Sequence, residues 1–309
     1  MTEQGWTRRR FLRRSGLAAA ALAAGSAPVA ACTRVDAPGA PGQDAADPLA
    51  RYREAGVIRV GVANEQPYGF RDGDGRLTGE APEVARAVFR ALGVGGLEAQ
   101  IVDSFGSLIP GLQSQQYDVI AAGMFITPER CRQVAFSHPD YVAAEAFLVP
   151  RGNPRRIRRF PDVAASGARL GVLEGAVEKG YAEASGVSGE KITVFPDQNA
   201  AFNGILAGRV DAVALTAVSL RWTLRQQYAG EPLEATESFV PVIGGKERLG
   251  AGGYGFRRQD TALRDAFNAQ LRRLQDAGGV LPLIERFGFT RTEVERARGL
   301  TADRLCAAS

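Results

Sequence analysis

The sequence predicts an α/β fold of two lobes with a ligand crevice between them. Apolar, strand-like runs alternate with helical stretches. The alternation occurs twice, once from residue 57 and again from residue 169. Two segments with the Gly and Pro content of chain crossovers, Arg151-Gly152-Asn153-Pro154 and Gly244-Gly245-Lys246, flank the second set.

The first unit opens with Val57-Ile58-Arg59-Val60-Gly61-Val62-Ala63, an apolar run of the kind a buried strand shows. A helix over 82–92, a strand over 99–102, a helix over 107–115 and a strand over 117–122 follow. The second unit repeats the order, with strands over 169–173, 191–195 and 211–215 and helices over 176–184 and 199–207. Near the end, Leu263, Phe267, Leu271 and Leu274 recur at spacings of four, four and three, a helix with one apolar face. If this tail returns to the first unit, lobe 1 is 49–150 plus 247–309 and lobe 2 is 151–246. Open α/β sheets bind ligands outside the carboxyl ends of their strands. That rule puts Glu65 and Tyr68, in Asn64-Glu65-Gln66-Pro67-Tyr68-Gly69-Phe70, on a crevice wall, and leaves Phe70 to packing.

With 309 residues and 45% hydrophobic content the chain is long enough for one large domain or two average ones. Its formal charge of +4 does not signal a nucleic-acid partner, because residues 1–31 hold five Arg against one Glu and the remainder sums to zero. Within those residues Thr7-Arg8-Arg9-Arg10-Phe11-Leu12-Arg13 resembles the twin-arginine export motif, followed by an apolar run too short to span a bilayer. Val29-Ala30-Ala31-Cys32 resembles a lipobox, which makes 1–31 a signal peptide and Cys32 a lipidated first residue. The alternative is a plain cleaved signal. Residues 32–48, rich in Ala, Pro, Gly and Asp, read as a flexible tether. If Cys32 carries lipid, Cys131 and Cys306 form an even pair in an oxidising compartment and predict one disulfide, unless both remain buried thiols. Closing so long a loop is worth up to about 5 kcal/mol in the chain-entropy picture.

Several chemistries are disfavoured. His138 is the single histidine, and no His, Cys, Asp or Glu cluster has metal-ligand spacing, so zinc sites and hydrolase triads are not expected. Gly250-Ala251-Gly252-Gly253-Tyr254-Gly255 satisfies G-x-G-x-x-G, yet it follows a charged loop and Tyr254-Gly255-Phe256 resembles a strand, not the start of a helix. No phosphate-binding P-loop is present, and no cofactor is expected. The basic run Arg155, Arg156, Arg158 and Arg159 reads as a solvated surface.

Four stretches carry a family resemblance: Asn64 to Tyr68; Thr78-Gly79-Glu80-Ala81-Pro82-Glu83-Val84; Ser104-Phe105-Gly106-Ser107-Leu108-Ile109-Pro110-Gly111-Leu112; and Ala122-Gly123-Met124-Phe125-Ile126-Thr127-Pro128-Glu129-Arg130-Cys131. They resemble the polar amino-acid family (family 3) of solute-binding proteins that serve ABC importers, most of all the ectoine and hydroxyectoine branch. The resemblance implies a two-lobed periplasmic-binding-protein-like fold of type II. It makes Tyr68, Phe105 and Phe125 three walls of an aromatic box, Glu65 an acid at its rim, and Arg130 the clamp on a ligand carboxylate. Lobe 2 is expected to complete the site through the backbone N–H groups of Gly175, Ala176 and Val177, and through Thr216, which stands where relatives often place an Asp for an α-amine. That replacement favours a ligand whose cation is bulky and delocalised.

Taken alone, each ring reads as easily as core packing, and Arg130 as a surface ion-pair residue. The implied function is a monomeric, lipid-anchored binding protein on the outer face of the cytoplasmic membrane, or in the periplasm. It delivers a small zwitterionic solute to an ABC permease and its ATPase. The alternatives are a binding protein for a glutamine- or arginine-type amino acid and a cyclohexadienyl-dehydratase-like enzyme on the same fold, with Glu65 its one candidate acid or base.

Overall fold

The computed structural model describes residues 47–307; the signal peptide, Cys32 and all but the last two tether residues lie outside them. The first sheet has six strands. Gly96–Ile101, Val57–Val62, Val119–Phe125, Gly250–Phe256 and Ala135–Phe136 follow one another, and Tyr141–Ala143 also pairs with Gly250–Phe256. Its first three strands are parallel, and Gly250–Phe256 runs antiparallel beside Val119–Phe125. The second sheet has five strands in the order Ile192–Phe195, Leu170–Leu173, Ala212–Thr216, Glu145–Pro150 and Leu233–Ala235. Its parallel centre explains the unbroken apolar runs: helices cover both faces, and every residue of Leu170–Leu173 and Ala212–Thr216 is buried.

The tail returns to the first lobe. Helix Thr261–Asp276 buries Leu263, Phe267 and Leu271, and the Phe267 ring meets Phe89 of helix Glu80–Ala91 at 5.2 Å and Tyr254 at 4.6 Å. The last helix, Ala302–Ala307, is fastened to the short helix Pro128–Cys131 by a Cys131–Cys306 disulfide with Cα atoms 5.7 Å apart. Among the described residues no helix is long and apolar enough to cross a membrane.

The lobe boundary differs from the expected 150/151. Glu145–Pro150 pairs with Ala212–Thr216 and Leu233–Ala235, so it belongs to the second lobe. Arg151 to Pro154 mark a turn inside that lobe, where the Asn153 N–H donates to the Pro150 carbonyl at 2.9 Å. Gly244 and Gly245, both at positive φ, turn the small hairpin of Val242–Ile243 and Lys246–Glu247. Gly and Pro mark turns of either kind, which is why both segments imitated crossovers. The chain passes between lobes at Ala144 and again after Leu233–Ala235. The two passages meet where Glu145 and Phe239 exchange backbone hydrogen bonds of 2.9 Å each.

Candidate functional site

At the end of Val57–Val62 the chain reverses tightly: Asn64 takes φ 53°, and the Tyr68 and Gly69 N–H groups donate to the Glu65 carbonyl at 2.9 and 3.0 Å. Glu65 and Tyr68 thereby face the second lobe. Phe105 starts a single 3₁₀ turn, Phe125 ends Val119–Phe125, and Arg130 lies on the short helix capped by Thr127, whose hydroxyl accepts from the Arg130 N–H at 3.3 Å. From the second lobe come Ala176, Val177 and Glu178, with Leu215 and Thr216 at the end of Ala212–Thr216. All of these line one cavity of about 30 Å³. That is room for water but not for a solute the size of an amino acid, so the lobes must part to admit one.

Glycines seat the rings. Gly123 lies at φ 64° in Val119–Phe125, and a Cβ there would strike the Tyr68 ring. Side chains at Gly250 and Gly252 would run into the rings of Phe125 and Tyr141. The G-x-G-x-x-G match is therefore a buried strand whose missing side chains leave space for the aromatic wall. Tyr141, which the sequence reading missed, backs that wall, with centroids 5.5 Å from Tyr68 and 6.4 Å from Phe125.

The predicted residues converge, with changed partners. The Tyr68 hydroxyl crosses to the second lobe and donates to Thr216 Oγ1 at 2.8 Å. The Arg130 guanidinium stacks on Phe105 at 5.3 Å and donates to the Phe125 carbonyl at 2.8 Å and the Gly175 carbonyl at 2.9 Å. The Gly175 N–H is expected to meet a ligand carboxylate, and the Gly175 carbonyl is engaged by the clamp itself. The Ala176 N–H is likewise engaged, by the Leu173 carbonyl at 3.3 Å. Gly175, at φ 73°, sits so close to Gly106 that a Cβ would come within 2.5 Å of the Gly106 Cα.

A seam beside the cavity joins the lobes. Gln198 takes both polar groups of Gln66, its Oε1 accepting from the Gln66 N–H at 3.2 Å and its Nε2 donating to the Gln66 carbonyl at 3.0 Å. Ser219 Oγ donates to that carbonyl at 2.8 Å, and the Trp222 indole N–H donates to Gln66 Oε1 at 3.3 Å.

Two acids escaped the sequence reading. Glu145 pairs in register with Thr216, and Glu178 opens helix Glu178–Ala184. Their exposures are 1% and 3%. A charged residue inside the apolar run from Val142 to Val149 was the available signal, because such burial needs a partner. An acid does therefore stand beside Thr216, brought by the neighbouring strand. Burial, then the Glu178 charge, pushes Glu65 up to about 8, although Glu65 keeps part of its surface in solvent. Burial raises Glu178 to about 7, and burial followed by Glu178 lifts Glu145 well above the carboxylate range. Burial lowers Arg130, whose guanidinium nonetheless stays charged.

Two lobes closing on a cavity with aromatic walls, a buried guanidinium and buried acids define a protein that encloses a small charged solute. Among the described residues no group of three or more His, Cys, Asp or Glu is placed to hold a metal ion. The chain belongs to the bacterial extracellular solute-binding proteins, family 3, which it matches over residues 58–290. A probable amino-acid ABC transporter periplasmic-binding protein of Sinorhizobium fredii is 33% identical over 261 residues, 84% of this chain and 86% of its own. The crystal structure of EhuB in complex with hydroxyectoine aligns at TM-score 0.76 and 35% identity, covering 85% of this chain and 100% of its own. An ancestral arginine-binding protein bound to arginine aligns at 0.65 and 29%, covering 75% and 98%. This is a solute-binding protein of an amino-acid-type ABC importer.

Proposed function

We propose that the chain binds ectoine or hydroxyectoine outside the cytoplasmic membrane, tethered by lipid on Cys32, and hands it as a monomer to an ABC permease driven by its ATPase. It acts as a carrier and not as an enzyme. The observation that carries this reading is the convergence of Tyr68, Phe105, Phe125 and Arg130 on one cavity closed by Thr216. The neighbour bound to hydroxyectoine supports it.

A zwitterion entering the cavity loses the hydration of both charges, and each must be compensated. Arg130 presents a planar fork to the carboxylate. A delocalised amidinium can rest against Tyr68 and Phe125, while Phe105 supports the clamp. Each such contact is worth about 0.5 to 2 kcal/mol, against about 8 kcal/mol for micromolar affinity. Closure is then a population shift, set by how much better the closed state holds the solute.

The half-buried Glu65 and the buried Glu145 and Glu178 favour a second reading, an amino acid with a cationic side chain of the arginine type. Calorimetric titration with ectoine, hydroxyectoine, glutamine and arginine separates the two. Saturable heat from ectoine and silence from the amino acids is the expected result; tight arginine binding with silent ectoine replaces the first reading by the second. In either case Arg130→Ala should weaken binding about 100-fold, in keeping with the loss of a buried charge partner, and unchanged affinity would show the clamp is misplaced.

A further inference from the structure

Neither the aromatic wall nor the arginine clamp gives Glu145 and Glu178 a task. Glu178 lines the cavity, and its Oε2 has no hydrogen-bond partner there. Behind it, both carboxyl oxygens of Glu145 are buried without a donor, and the two side chains lie within hydrogen-bonding reach of each other. Two ionised carboxylates do not share a dry site, so the pair holds one proton between them. The other titratable groups around the pair are Glu65, Tyr68, Arg130 and Tyr181. The Arg130 fork is partly engaged by the Phe125 and Gly175 carbonyls, so it does not neutralise the pair by direct contact. A buried acid that faces a cavity with a free oxygen is an acceptor prepared for a donor from outside.

We propose that the Glu145–Glu178 pair is the subsite for the cationic end of the solute, an amidinium, guanidinium or ammonium group, and that this cation enters by displacing the proton the two carboxyls share. The balance closes without any covalent step. Before binding, the pair holds one proton and one negative charge. Afterwards the proton has left to water, both carboxylates are ionised, and the solute's cation, held between the rings and facing Glu178, supplies the positive charge that the proton supplied. Because Glu145 also exchanges the two backbone bonds with Phe239 where the passages between lobes meet, the exchange takes place at the hinge. The inference rests on the reading that the cavity takes a solute with a cationic end.

Titration of the purified protein with ectoine and L-arginine at pH 8, where Glu178 has given up its proton and Glu145 keeps its own, in two buffers of different ionisation heat, tests it. The expected result is release of close to one proton per solute bound, falling toward zero in Glu145→Gln, with the wild type binding at least tenfold more weakly at pH 5.5 than at pH 8. Equal heats in both buffers and a flat pH profile would overturn the subsite and leave the solute-binding reading standing. If neither solute gives heat, that reading fails for both, and millimolar guanidinium chloride decides the subsite. A melting temperature raised above that in equal sodium chloride, and not raised in Glu178→Gln, supports it; no difference overturns it.

Discussion

Two pairs of acids are buried among the described residues, Glu80 with Asp140 inside the first lobe and Glu145 with Glu178 at the cleft. In the first pair Asp140 has donors of its own: Tyr254, whose hydroxyl lies 3.0 Å from Asp140 Oδ2 and from the Ala81 carbonyl, and the backbone around Tyr141. Burial leads in raising Asp140 to about 6 and Glu80 well above the carboxylate range, and Glu80 supplies the proton that joins them. Asp140 is satisfied by these neighbours, whereas both Glu80 oxygens are buried with no donor beyond the proton shared with Asp140; packed inside one lobe, the pair is a brace. The cleft pair has the same chemistry with fewer donors and an open side, so what it lacks must come from a ligand. Burial alone therefore does not distinguish a structural acid from a binding one; a place on the cavity between the lobes, which Glu178 has, does.

The largest expected effect is on the brace. Asp140→Ala leaves the buried Glu80 carboxyl without its acceptor and Tyr254 with the Ala81 carbonyl alone, and should cost about 3 to 5 kcal/mol in urea unfolding, whereas Glu178→Ala should cost less than about 1 kcal/mol, having fewer bonds to lose. Equal losses would erase the distinction between the pairs.

A smaller effect comes from pH. Glu65, Glu80, Asp140, Glu145 and Glu178 all have folded pKa values above their unfolded ones. Their contribution to stability is complete below about pH 4; that of Asp140, Glu178 and Glu65 is lost as pH rises through about 6, 7 and 8, and that of Glu80 and Glu145 as pH rises further above the carboxylate range. The solute-free protein should therefore melt several degrees lower at pH 8.5 than at pH 5.5, about 1 to 2 kcal/mol for a chain of this size. A melting temperature that rises over that window would mean the pairs are already ionised. Smallest is Tyr68→Phe, which removes one bond between the lobes and should weaken solute binding about two- to tenfold, in line with about 0.5 to 1.5 kcal/mol. An unchanged dissociation constant would show that this bond does not hold the closed form.

The fold was legible because each element announces itself locally. The apolar runs ending at Val62, Leu173 and Leu215 and the spacing of Leu263, Phe267 and Leu271 need no knowledge of distant residues. The rings and Arg130 were legible through motifs of neighbouring residues. Glu145 and Glu178 were not, because they meet only when a strand from one crossover and a helix start over thirty positions later fold against each other. The same blindness moved the lobe boundary: whether Glu145–Pro150 joins one sheet or the other depends on which strand offers it an edge, and no local pattern records that. The glycines of Gly250–Phe256 were read correctly as no nucleotide loop, but their purpose appears only once Phe125 and Tyr141 stand over them.

The seam at Gln66 has an optical consequence. The chain contains two tryptophans, and Trp6 falls within the residues that the export reading removes. The secreted form would then carry a single indole, Trp222, whose N–H bonds to Gln66 across the lobes and whose ring lies 5.7 Å from Phe287. Opening the cleft would break that bond and wet the ring. Unlabelled protein would thus report its own closure through emission colour and quenching, and stopped-flow fluorescence could time the capture of a solute without any attached dye.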